Sequence, residues 1–109
     1  MNVYYNPEAF GLKVLRTIED TLLSYEFSMV VVWEELNTGR LFWARDSGCS
    51  CADPFENLTD ISSLTPLDRR HFQDFRTAMV DAGVSLDDRI SAELFLEPLV
   101  INLDDRRRL

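Results

Sequence analysis

Basic residues are scarce in this chain. Lys and Arg together number 11 against 19 Asp and Glu, a formal charge of −8 over 109 residues. A surface so acidic lacks the cations that release counterions from phosphate, which argues against direct nucleic-acid binding. Lysine is almost missing, Lys13 standing beside ten arginines, a bias that fits GC-rich coding. Long apolar runs are absent as well. The longest, Met29 to Trp33, spans five residues, where a membrane helix needs about 20, and anionic lipid would repel the acidic surface. Met1 to Phe10 show no basic segment followed by an apolar one, and Pro7 and Glu8 interrupt them, so no secretory leader is read and a cytoplasmic location is expected. The two cysteines, Cys49 and Cys51, are too few for a disulfide framework. Reduced thiols are expected in a chain with no export signal read, and a bond between cysteines one residue apart would close an awkward ring.

What remains is ample for a core. Of the residues 46% are apolar, which excludes a disordered chain, and 12.6 kDa fits a single domain over 1–109. Tyr25, Phe27, Met29, Val31 and Trp33 alternate along one face, with Val30 and Val32 on the other. That pattern reads as a central strand, Tyr25 to Leu36, covered on one face and partly on the second. Asn37-Thr38-Gly39 has the composition of a turn with a left-handed last residue, so Arg40 to Asp46 should return antiparallel. A three-residue loop would set Trp33 opposite Trp43, both in the core. Upstream, Asn6-Pro7-Glu8 opens a helical turn, and the four-residue spacing of Phe10, Val14, Ile18 and Leu22 permits a helix over residues 8–24. Leu12, Val14 and Ile18 also share a strand face, and the favoured reading is one helical turn followed by a strand, Leu12 to Glu19.

Downstream, Thr65, Pro66 and Asp68 resemble the cap and first turn of a helix reaching Asp81. Its apolar stripe is Leu67, Phe72, Phe75 and Met79, and Gly83 lies just past its end. Ser85 caps a second helix that Pro98 should stop, leaving Leu99 to Leu103 as an edge strand or packed coil and residues 104–109 as a frayed tail. The fold class is therefore α+β: a small antiparallel sheet of about three strands around a central β-hairpin, packed with one or two C-terminal helices.

Chemistry concentrates in Asp46-Ser47-Gly48-Cys49-Ser50-Cys51-Ala52-Asp53-Pro54-Phe55-Glu56. Two thiolates with His71 and Asp46 or Asp53 would make four zinc ligands, and a thiol beside His71 would make an activated nucleophile. The spacing matches no common zinc knuckle, and a lone histidine is weak evidence, so neither a metal, a cofactor nor an enzyme activity is expected. The plainer reading is a fixed loop from Ser47 to Glu56. It has a tight or left-handed turn at Gly48, small buried thiols and Phe55 as an anchor on the sheet. His71 is read as a partly buried packing residue.

The opening Tyr4-Tyr5-Asn6-Pro7-Glu8-Ala9-Phe10-Gly11-Leu12, the strand Val30-Val31-Val32-Trp33, and Asp46-Ser47-Gly48-Cys49-Ser50-Cys51 followed by Pro54-Phe55-Glu56 resemble a family of small uncharacterised proteins of actinobacterial phages. The resemblance covers about residues 4–68 and implies origin but no activity. It leads to the expectation of a noncatalytic accessory module that docks on a host protein with a basic or mixed surface. Asp46, Ser47, Gly48, Cys49, Ser50, Cys51 and Phe55 are the candidate contacts. The alternative is a metal-supported or thiol-dependent domain centred on the Cys-x-Cys loop. The charge balance makes one direct prediction: the purified protein shows no retention on duplex DNA at physiological salt in a mobility-shift assay. Tight, salt-sensitive retention would overturn the reading of its surface.

Overall fold

The computed structural model describes residues 2–49 and 51–107. After a 3-10 turn at Pro7–Phe10 come β1 (Leu12–Glu19), β2 (Glu26–Glu35) and β3 (Leu41–Cys49). A second 3-10 turn at Ile61–Ser63 leads to β4 (Thr65–Pro66), α1 (Phe72–Asp81) and α2 (Leu86–Arg107). The strands form one sheet in the order β1-β2-β3-β4, every neighbouring pair antiparallel. The α+β class holds, with four strands rather than about three. Residues 8–24 are a helical turn and a strand, as favoured, and not one helix. Among the described residues no helix is long and apolar enough to cross a membrane.

β2 is the centre of the molecule because both its faces are sealed. Val30 and Val32 pack toward the helices with Leu67, Phe75, Met79, Ala92 and Leu96. Met29, Val31 and Trp33 pack on the opposite face with Val3, Phe42, Phe55 and Leu64. Each of the five β2 side chains is at most 5% exposed, contributing about 1.5–3 kcal/mol apiece. The second cover is built from the N-terminal segment and the loop after β3. Asn2 Oδ1 accepts from the Tyr4 and Tyr5 amides, Val3 N donates to Leu58 O, and the buried indole of Trp33 donates to Val3 O at 2.8 Å.

Two register details depart from the sequence reading. Glu35 and Arg40 close the β2–β3 hairpin, Glu35 N donating to Arg40 O, so the loop is the four residues Leu36 to Gly39. Gly39 is left-handed as expected, at φ 72°. The extra loop residue puts Trp33 opposite Phe42 and Trp43 opposite Val32, and a one-residue slip turns a side chain to the other face. The two indoles therefore lie on opposite sides of the sheet, Trp43 meeting Phe75 edge-on at 6.0 Å between ring centres. In β1 a bulge at Leu15 shifts the pairing between Val14↔Trp33 and Arg16↔Val32. Leu12 and Val14 consequently face the loop layer while Ile18 faces the helices, correcting the single face assigned to all three.

The C-terminal half differs at the start of α1 and at the end of α2. Thr65 and Pro66 pair with Trp43 and Phe42 instead of opening α1; a proline is tolerated on an outermost strand, where its missing N–H costs no ladder bond. Leu67 N still donates to Leu41 O, and α1 begins only after Asp68 Oδ1 accepts from His71 N. Past Ala82, Gly83 sits at φ 82° while Val84 N bonds Met79 O and Gly83 N bonds Val80 O, the Schellman closure of a helix end. Ser85 Oγ accepts from Asp88 N at the start of α2, as expected. Pro98 does not end α2, so Leu99 to Leu103 are helical rather than strand or coil. Leu96 and Val100, 0% and 2% exposed, hold the helix on the core on either side of the proline. This outweighs the one backbone bond that proline removes. Of the expected tail, residues 104–107 continue α2, and residues 108 and 109 lie outside the described residues.

Because Pro98 is exposed within a continuous helix, replacing it should restore a bond and relieve ring crowding. P98A is expected to raise stability by about 1–3 kcal/mol in urea unfolding. An unchanged or lower midpoint would show that the ring is accommodated without cost.

Candidate functional site

The expected site lies at the end of the sheet where β3 leaves its partners. β4 pairs with β3 only at Phe42 and Trp43, so the outer edge from Ala44 to Cys49 is open to whatever the following loop supplies. Ser47, Gly48 and Cys49 belong to β3 itself, paired with Ser28, Phe27 and Glu26, and the loop proper begins beyond them. Gly48 is not left-handed, contrary to expectation. Its role is space: a Cβ there would stand 3.2 Å from two carbons of the Phe27 ring, the residue directly across the ladder.

Asp46 organises the turn back. Its Oδ1 accepts from Ser47 N at 2.9 Å and its Oδ2 from Phe55 N at 2.7 Å. One carboxylate thus occupies the open edge and brackets two amides eight positions apart. Phe55 is 2% exposed, its ring 5.4 Å from Trp33 in a T-shaped contact and 5.6 Å from Tyr4. It is the anchor the loop reading anticipated. It also adopts φ 60°, the sole non-glycine with positive φ among the described residues. A bulky residue pays about 1–2 kcal/mol for that conformation; burial of its ring and the charge-assisted bond from Asp46 offset it.

Cys49 and Cys51 are not buried thiols. They are joined to each other as a disulfide, with Cα atoms 5.4 Å apart, and both residues are exposed. Ala52 N donates to Cys49 O at 3.1 Å, a turn compact enough to bring the sulfurs together. A closed segment of three residues removes little chain entropy, about 1.5 kcal/mol by the loop-length relation. Ser50 lies outside the described residues.

The proposed metal and nucleophile sets do not assemble. His71 is at the start of α1, its Nδ1 2.7 Å from Asp68 Oδ1, and it is partly buried as expected, its side chain 36% exposed. Asp46 is engaged by two amides, and the cysteines by one another. Among the described residues no group of three or more His, Cys, Asp or Glu is placed to hold a metal ion.

Two depressions flank this end of the sheet. One, of about 280 Å³, is walled by Phe27, Arg45, Asp46, Asp53 and Glu56. The other is a broad groove of about 520 Å³ bordered by Asp20, Leu23, Glu26, Arg45, Cys49 and Asp81. Arg45 borders both and donates to Asp81 O at 3.0 Å, a single cation in a carboxylate rim. Beside the groove, the β1–β2 turn exposes Leu22 at 90% and Tyr25 at 83%, with Leu23 at 38%. The sequence reading placed Tyr25 on the covered strand face and Leu22 on the stripe of the alternative helix, and offered neither as a contact. The available signal was two leucines and a tyrosine in a stretch where a turn needs only polar residues.

The bracket predicts a pattern of stabilities. Asp46→Ala should cost about 1.5–3 kcal/mol by orphaning two amides, and Phe55→Ala about 3–5 kcal/mol. Because of the positive φ, Phe55→Gly should be about 1 kcal/mol more stable than Phe55→Ala, the reverse of the usual order. Chemical denaturation of the three variants checks this, and a glycine variant less stable than the alanine one would refute the strained backbone.

A family model described as Domain of unknown function (DUF7574) matches residues 1–93, and the chain belongs to that family. No curated protein and no solved structure matches it.

Proposed function

We propose that this DUF7574 member is a noncatalytic protein-binding module that docks through the Cys49 end of its sheet. The partner is a protein with a basic or mixed surface. The observation that carries the reading is the near-complete exposure of Leu22 and Tyr25 next to a groove rimmed by Asp20, Glu26 and Asp81. Large apolar side chains almost fully in water at a turn stabilise little in the isolated domain, and such side chains beside a charged groove give the mixed composition of a transient interface. The carboxylates would steer a basic partner and the leucine and tyrosine would hold it. Of the residues expected to make contact, Ser47, Cys49 and Cys51 are exposed there, whereas Asp46 and Phe55 serve by holding the loop in shape. The resemblance to phage-encoded proteins adds the finer reading: an accessory factor acting on a host protein in the host cytoplasm.

The test is capture from actinobacterial host lysate on immobilised protein, compared with Leu22→Ser/Tyr25→Ser. A partner retained by the parent, lost by more than about tenfold in the double variant and associating more slowly as salt rises is the expected result. Equal capture by both proteins would overturn this placement of the interface. No enriched partner at any salt would overturn the function.

A further inference from the structure

A disulfide is inert in proportion to its burial and to the structure it ties together, and the Cys49–Cys51 bond has little of either. Both residues are exposed, and the bond joins positions two apart at the end of a strand. Cys49 is already held by pairing with Glu26 across the ladder, and the loop is held by Asp46 and Phe55. Opening the bond therefore leaves both core layers intact. Exposed disulfides that carry little of the fold are the labile, exchanging ones. Their environment decides which thiols reach them, and the groove bordering Cys49 presents Asp20, Glu26 and Asp81 against the guanidinium of Arg45 alone. On the other side of the strand, Asp46, Asp53 and Glu56 wall the second depression beside Ala52.

From this we propose that Cys49–Cys51 is a thiol–disulfide exchange site selective for small neutral or cationic thiols over anionic ones. The activity stands apart from docking and does not depend on it. In the first step a thiolate attacks the sulfur of one of these exposed residues, forming a mixed disulfide while the other cysteine leaves as thiolate. In the second step another thiolate attacks the sulfur of the small thiol, releasing the small-molecule disulfide and the second cysteine thiolate. Two electrons pass from two thiols to the protein, and each cysteine takes up one proton on neutralisation. The acidic surroundings lower the local concentration of an anionic attacking thiol and raise that of a cationic one, an effect that salt screens.

The experiment uses the intact chain purified without reductant. Thiol titration under native conditions should find no free thiol before reduction and two after it, with the near-ultraviolet circular dichroism of Trp33 and Trp43 unchanged. Exchange rates are then measured with cysteamine, 2-mercaptoethanol and thioglycolate at matched thiolate concentration, each divided by that thiol's rate with a neutral small-molecule disulfide to remove differences in intrinsic nucleophilicity. At low ionic strength cysteamine should exceed thioglycolate by about tenfold, with 2-mercaptoethanol between them, and 0.5 M salt should compress the spread to less than about twofold. Glu26→Gln/Asp81→Asn, both at exposed positions, should narrow the low-salt spread while leaving the 2-mercaptoethanol rate within about twofold. Two free thiols in the unreduced protein, reduction only after unfolding, or rates indifferent to thiol charge would each overturn the proposal.

Discussion

Burial of β2 on both faces is the constraint from which the rest of the architecture follows. An antiparallel sheet can leave one face wet, but Met29 to Trp33 is apolar at every position, so each face needs its own cover. The helices supply one, because Phe72, Phe75 and Met79 recur at helical spacing and place a stripe over Val30 and Val32. Among the described residues no third α-helix covers the other face. It is closed by irregular chain, the N-terminal segment and the loop after β3, and irregular chain carries backbone groups that need partners. Asn2 Oδ1, Val3 O, Asp46 and the Trp33 indole are those partners.

This explains why the polar bracket at Asp46 sits where it does. Beyond Trp43 the outer edge of β3 has no strand beside it among the described residues, and an open edge invites pairing with other chains. The Asp46 carboxylate takes up Ser47 N on that edge and ties it to Phe55 N, so the loop that covers the core also blunts the edge. The unfavourable φ of Phe55 is the local cost of turning a large ring back onto Trp33 within so short a return. A glycine could make the turn but would leave Trp33 uncovered.

How much of this was legible follows from the range of the interactions involved. β2, the α1 stripe, Gly39, Gly83 and the Ser85 cap were readable because each depends on residues within one or two turns of itself. The hairpin register was not: it hinges on whether Leu36 counts as strand or loop, and that one residue decides which layer receives Trp43. The bulge at Leu15 is similar, since Val14 and Ile18 share parity along the chain and only the packing on both faces of β2 separates them. Pro98 was read as a stop because local sterics favour one, yet Leu96 and Val100 are buried by distant partners that local reasoning does not see. The disulfide was set aside on cysteine count, the absence of a leader signal and ring geometry, and the turn closed by Ala52 N and Cys49 O is what accommodates it.

The conspicuous motif thus divides in two along the strand. Asp46, Gly48 and Phe55, with Phe27, are engaged by the fold: a bracket, a space for a ring, and an anchor. Ser47, Cys49 and Cys51 point away from that work, as do Leu22 and Tyr25 on the neighbouring turn. Residues of the first kind can change only if the second core layer changes with them, because each touches a buried aromatic ring or an otherwise orphaned amide. Residues of the second kind contribute little to stability, the disulfide included, and can vary without unfolding anything. A surface free in that sense, seated on a loop held rigid from beneath, meets the physical requirement for a recognition or exchange site, where side chains must be both accessible and fixed in position.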